Sequence, residues 1–294
     1  MRASNQGGAV VVVGSLHHDI VVEADRQPLR GETLMGDKWY PKFGGKGGNQ
    51  AVAAARAGAD VHVIGAVGRD SFGDTLIAGL DEAGVDHSGV ARLDTGSGMS
   101  VAMVDGEGDY AAVVVTGANA AIDAEAVRTS DVLQRASVLL LQNEVPADIN
   151  MVAAQTARDA GALVVWNAAP MRPDPERLIE MVDVLVVNAV EAEQFCGLRV
   201  GSLENAKQAA QMICEGGVDA VVTAGSAGCA WATPHGDSGA LPAEFVKDAK
   251  AHGAGDVYCG VLAAKIADCS LSESIQAAST AAHRHVSGQP VFQD

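Results

Sequence analysis

Apolar residues run in short unbroken blocks along this chain. Val10 to Gly14, Val61 to Val67, Val138 to Gln142, Leu163 to Asn167, Val184 to Asn188 and Ala220 to Thr223 are such blocks. A strand that is apolar at nearly every position is buried on both faces. Between the blocks, apolar positions take helical spacing at Asn49–Ala57, at Phe72–Ala83, and near 148–160, 190–196 and 204–215. The alternation predicts an α/β fold with a mostly parallel central sheet between two helical layers, a three-layer αβα arrangement. Ligands on such sheets bind beyond the carboxyl ends of the strands.

Two segments break the rhythm. Val21 to Lys42 places Pro28, Gly31, Gly36 and Pro41 between short alternating stretches. Ser100 to Val115 reads as a hairpin around Asp105-Gly106-Glu107-Gly108. Together, over about 17–42 and 98–116, they predict a small β-layer above the strand ends. It is either a lid or a pair of edge hairpins with no moving role. No internal repeat, low-complexity tract or linker divides the chain, so residues 1–294 read as one domain carrying that appendage.

Charge narrows the function. Asp and Glu number 37 against 20 Lys and Arg, a formal net charge of -17. That argues against a nucleic-acid partner. It also requires any site for an anionic ligand to supply its own positive potential. No apolar run reaches the roughly 18 residues of a membrane span. The five cysteines (Cys196, Cys214, Cys229, Cys259 and Cys269) form no C-x-x-C pair and read as free thiols of a reducing compartment. A cytoplasmic location without a membrane partner is expected.

Two glycine-rich stretches carry the candidate chemistry. The first, Phe43-Gly44-Gly45-Lys46-Gly47-Gly48-Asn49-Gln50-Ala51, opens a helix. Free amides at a helix start favour oxygen or anion ligands, and Lys46 and Asn49 add donors suited to hydroxyls. The alternative is a flexible loop with its lysine in solvent. No Ser or Thr follows Gly45-Lys46, so this is not a Walker A motif. Strand one ends in Gly14-Ser15-Leu16-His17-His18-Asp19, without the glycine pattern of a dinucleotide fold. The second stretch is His252-Gly253-Ala254-Gly255-Asp256-Val257-Tyr258-Cys259-Gly260. Its amides can form an anion hole at a helix start, with Asp256 placed to accept a hydroxyl proton. The alternative makes Asp256 a favourable charge at a helix N-terminus.

Gly44-Gly45-Lys46-Gly47-Gly48-Asn49-Gln50-Ala51 resembles the first signature of the ribokinase-like (PfkB) carbohydrate kinase family. Gly253-Ala254-Gly255-Asp256 resembles the core of its second signature, D-T-x-G-A-G-D. Four ordered stretches between them also match: Gln142-Asn143-Glu144, Asn167-Ala168-Ala169-Pro170, Asn188-Ala189-Val190-Glu191 and Thr223-Ala224-Gly225-Ser226-Ala227-Gly228. The likeness runs from Val10 to about Pro290. It implies a Rossmann-type αβα fold with a β-lid, ATP and Mg²⁺ as cofactors, a sugar acceptor, and a homodimer joined through the lids. It implies Asp256 as catalytic base and Gly253, Ala254 and Gly255 as anion hole. It implies sugar contacts from Asp19, Gly45, Lys46, Asn49 and Glu144. Asn188 and Glu191 match a motif positioning Mg²⁺ through water. Thr223, Gly225, Ser226 and Gly228 match a loop holding the nucleotide.

The match departs in four places. Lys250-Ala251 stand where the second signature has Asp-Thr, and that aspartate helps form a monovalent-cation site in the family. A K⁺ requirement is therefore doubtful: the Lys250 ammonium displaces the cation, or else it points to solvent. Cys259 replaces an asparagine and reads as a small core residue. His17 stands where the ribose-specific pattern is Asn-x-Asp, either bonding a hydroxyl, reshaping the pocket, or serving as a surface or structural histidine outside the site. The closing stretch, His283 to Asp294, lacks the family's glycine-rich run and final helix. Acceptors left open are a pentose, another sugar or polyol, and a nucleoside. The changes at Lys250 and Ala251 also leave open a non-catalytic sugar binder.

Overall fold

The computed structural model describes residues 8–106, 110–172, 176–247, 249 and 252–292. β1 (Val10–Val13) leads into β2 (His17–Glu23) and β3 (Lys38–Gly44). Then come α1 (Lys46–Arg56), β4 (Val61–Gly68), α2 (Ser71–Glu82), β5 (Asp86–Leu93) and the pair β6 (Gly98–Val104) and β7 (Tyr110–Val115). The middle of the chain forms α3 (Ala124–Arg128), β8 (Val138–Gln142), α4 (Ala147–Asp159), β9 (Leu163–Asn167), α5 (Glu176–Ile179), β10 (Val184–Asn188) and α6 (Ala189–Cys196). The last third forms α7 (Leu203–Cys214), β11 (Asp219–Thr223), β12 (Cys229–Ala232), β13 (Ser238–Leu241), α8 (Ala254–Ile266) and α9 (Leu271–Val286).

Among the described residues the main sheet has nine strands in the order β13-β12-β11-β10-β9-β8-β1-β4-β5. From β11 to β5 every neighbour is parallel, and β12 pairs antiparallel with β11 and with β13. The unbroken apolar runs have their explanation here, because alternate residues face two separate cores. Val11, Val13, Leu139, Leu141 and Leu185 pack under Ile149, Ala153, Ala209 and Ile213 of α4 and α7. Val10, Val12, Leu140, Val165 and Val186 pack under Ala51, Leu76, Leu262 and Ile275 of α1, α2, α8 and α9. The three-layer prediction holds.

The segments that broke the rhythm form a second sheet, β3-β2-β6-β7. Pro41 sits on the edge strand β3, where a missing N–H is tolerated. The tip of the β6–β7 hairpin, with Glu107 and Gly108, lies outside the described residues, as do Asp248, Lys250 and Ala251. Helix α9 was not anticipated. Its apolar positions do keep helical spacing, and the capping box of Ser270 with Glu273 marks its start.

One boundary needs a correction with a physical reason. Helix α1 begins at Lys46, three residues before the expected Asn49, so Gly47 and Gly48 belong to the helix. A Cβ on Gly47 would lie 2.6 Å from the backbone at Gly14 and Ser15. That glycine lets α1 press against the end of β1, rather than admitting a ligand.

The helices α1 and α8 meet just as closely. A Cβ on Gly260 would lie 2.4 Å from the Gln50 carbonyl oxygen and 2.7 Å from the Ala53 methyl. Gly260→Ala forces the helices apart and destabilises the fold by about 1–3 kcal/mol, the usual size of core overpacking. Chemical denaturation checks it; an unchanged midpoint would mean the helices separate freely.

Candidate active site

The connections after β9, β10 and β11 and the N-termini of α1 and α8 converge on one cleft, and those after β1 and β8 adjoin it where Glu144 bonds Ser15 and the Lys46 N–H. Lys46, Asn167, Asn188, Glu191, Thr223, Gly253, Gly255, Asp256, Tyr258 and Cys259 line it. The cleft lies beyond the carboxyl ends of the strands and is lined by residues far apart in sequence.

Asp256 lies in the first turn of α8 and is 8% exposed. Gln50 Nε2 donates to its Oδ1 at 3.0 Å, and Asn49 Nδ2 to its Oδ2 at 3.3 Å. Burial pushes its carboxyl pKa up, while the Lys46 charge and the Gln50 and Asn49 donors pull it back; the net shift is upward. Lys46 is the cation among these groups. Burial lowers its pKa, but Asp256 and Glu144, with Cys259 and Glu191, outweigh that and raise it.

Glu144 follows β8 and ties three elements together. Its Oε2 accepts from Ser15 Oγ at 2.6 Å and from the Lys46 backbone N–H at 2.8 Å. His17 Nδ1 lies 3.7 Å from the same oxygen, and the ring is 3% exposed. The histidine that broke the sugar-loop pattern is thus buried beside Glu144, and it is not among the residues that line the cleft. Asp19 sits two residues along β2 and accepts from Ser100 Oγ at 2.5 Å. Gly45 caps α1 with φ 85, and Gly253 caps α8 with φ 84 and no side chain to offer.

At the other end of the cleft, Asn188 and Glu191 form a capping box. Asn188 Oδ1 accepts from the N–H groups of Val190 and Glu191, and Glu191 Oε2 accepts from the Asn188 N–H at 2.8 Å. Burial raises the Glu191 pKa against the pull of that N–H and of Lys46. Thr223 lines the cleft, whereas Gly225, Ser226 and Gly228 form the turn beyond it, with Gly225 and Ser226 exposed. Ala254 opens α8 beside Gly255. Cys259 is buried as expected, yet it borders the cleft beneath Asp256, and burial pushes its thiol pKa up.

The family model for pfkB carbohydrate kinases matches residues 8–288. The chain belongs to the pfkB carbohydrate kinase family. Mouse ribokinase is 34% identical over 265 residues, covering 88% of this chain and 81% of that protein. Ribokinase of Haemophilus influenzae is 31% identical over 277 residues, covering 93% and 90%. The solved structure of Arabidopsis thaliana ribokinase complexed with ribose and ATP superposes with a TM-score of 0.86 at 28% identity, covering 96% and 93%.

Several supporting residues of this pfkB kinase escaped the motif reading. Gln50 binds both Asp256 and Asn167, at 3.0 and 3.1 Å, and is fully buried. Arg172 donates to the carbonyl oxygens of Asn143 and Val145, on either side of Glu144. Asn119 accepts from Leu16 N and donates to Leu16 O, both at 2.9 Å. Gln50 stood inside a quoted motif; Arg172 and Asn119 carried no signal, because their partners are carbonyls and amides 27 to 103 residues away. Gln50→Leu removes a donor from the Asp256 carboxylate, so the Asp256 pKa rises. Carbon-13 NMR titration of that carboxyl checks the direction; an unmoved titration separates the two residues.

Proposed function

We propose that this kinase transfers the γ-phosphoryl group of ATP to a sugar hydroxyl, with ribose as the leading acceptor and Asp256 as the base. The observation that carries the reading is the Asp256 carboxylate at the start of α8, held by Asn49 and Gln50 and facing Lys46. A buried carboxylate with a raised pKa is better suited to accept a proton. In a chain of net charge -17, Lys46 and the α8 amides supply the local positive potential that an anionic donor requires. A base is not needed for binding alone, which favours a catalyst over a sugar-binding protein.

The roles divide along the cleft. Glu144, Asn49, Asp19 and His17 offer acceptors and donors to the sugar hydroxyls. The amides of Gly253, Ala254 and Gly255 stabilise charge on the transferring phosphoryl oxygens. Thr223, Gly225, Ser226 and Gly228 hold the nucleotide phosphates and ribose. Asn188 and Glu191 supply an all-oxygen donor set, which suits a hard divalent cation. Among the described residues no group of three His, Cys, Asp or Glu side chains could hold a metal ion. A Mg²⁺ ion here takes water and phosphate oxygens for most of its shell, and when bound it neutralises charge on the nucleotide. The second sheet acts as a lid that excludes water, and its Asp19 travels with it.

Turnover of ATP across a panel of pentoses, hexoses, polyols and nucleosides tests the reading. Ribose turnover that falls by at least about 10²-fold in Asp256→Asn supports it, by the usual size of general-base effects. Sugar binding without turnover in the wild type would overturn it in favour of a binding protein.

The same small sheet supports a homodimer. On one face of this sheet, β7 exposes Val113 and Val115 at 70% and 51%, β6 exposes Val101 at 36% and β3 exposes Trp39 at 67%. Such an apolar face needs cover, and a second copy supplies a matching one. Val113→Lys converts a dimer to a monomer in sedimentation velocity. A wild type that is monomeric at micromolar concentration would refute the dimer.

A further inference from the structure

We infer that His285 is a positioning residue for the anion hole, tethering the turn that feeds Gly253–Gly255 into α8. His285 lies in the last turn of α9, and its Nε2 is 2.9 Å from the His252 carbonyl oxygen. A carbonyl only accepts, so Nε2 carries the hydrogen and the histidine donates. His252 immediately precedes Gly253, the cap of α8 with φ 84. The ring also backs the turn itself: a Cβ on Gly253 would lie 3.5 Å from the same nitrogen.

Gly253 brings no side chain to bond the first amides of α8, so the His285 contact supports a cap without a side-chain bond of its own. The tether runs to a rigid element. Ile275, Ala278 and Ala281 of α9 pack with Leu262, Ala263 and Ile266 of α8 in one core. The direction of the Gly253–Gly255 amides is thereby fixed from behind by α9. Preorganised donors stabilise transferring charge only where they already point at it, and small displacements are expensive in rate. His285 touches neither acceptor nor nucleotide in this scheme; it acts through the His252 carbonyl.

The inference rests on the phosphotransfer reading, so wild-type turnover is measured first. His285→Leu and His285→Gln are then compared in the full chain, since the glutamine amide can reach the same carbonyl. We expect His285→Leu to lower kcat by about tenfold or more with the sugar KM unchanged, a fraction of what losing a direct oxyanion donor does. We expect His285→Gln to restore most of kcat, with both variants melting near the wild-type temperature. An unchanged kcat in the leucine variant, an equal loss in the glutamine variant, or a parallel change of kcat and KM would overturn the role. If the wild type turns over no acceptor, the phosphotransfer reading fails by itself. The tether is then decided by proton–nitrogen NMR of the histidine rings: a His285 Nε2–H signal supports it, and its absence overturns it.

Discussion

A partly buried ammonium, that of Lys46, stands among Asp256, Glu144 and Glu191 at the meeting point of α1, α8 and the strand ends. Removing any of these charges from water is unfavourable unless partners replace the lost hydration. Each carboxylate has such partners: Asn49 and Gln50 for Asp256, Ser15 and the Lys46 N–H for Glu144, and the Asn188 N–H for Glu191. The grouping holds only if two helix starts and three strand ends arrive at one point. The close glycine contacts of α1 with β1 and with α8 are what bring them there. The group is therefore a constraint on the whole fold as much as a feature of the site.

The same constraint reconciles an acidic protein with an anionic ligand. A net charge of -17 repels phosphate at long range. In the reading proposed above, the Lys46 ammonium and the amides at the start of α8, whose cap offers no side chain, supply positive potential at short range. Lys46 is raised, not lowered, by its surroundings, so it remains an ammonium.

Much of this was legible in the sequence because it is local. Runs of valine and leucine buried on both faces gave six strands of the parallel sheet within a residue or two, and the glycine-rich stretches pointed to both helix starts. What stayed hidden depends on partners distant along the chain. Gln50 is a glutamine in an alanine-rich helix until α8 supplies Asp256, 206 residues away. Arg172 is a surface-type residue until the loop after β8 supplies two carbonyls. The glycines of α1 misled for a related reason. Their spacing suggests a loop; the backbone of Gly14 and Ser15 explains Gly47 as packing, and the Phe43 ring and Leu16 side chain explain Gly48.

The second sheet depends on such distant partners as well. Its β2 leaves the main sheet through Ser15 and Leu16, and Asn119 bonds both the N–H and the carbonyl of Leu16. Its β6 leaves beside Ser97, whose N–H and hydroxyl both donate to Asp70, the cap of α2. Both roots are therefore pinned to the body of the protein by side chains that imitate backbone pairing. His17 lies at one root, next to Glu144. Asp19 and Ser100 lie two and three residues farther out, bonded to each other across β2 and β6. Under the lid role proposed above, the pivot falls between these two places, because the bonds at the roots tie the first to the body and only the small sheet's own ladder holds the second. Asp19 is then the carboxylate that a movement of the sheet displaces relative to Glu144 and Asp256.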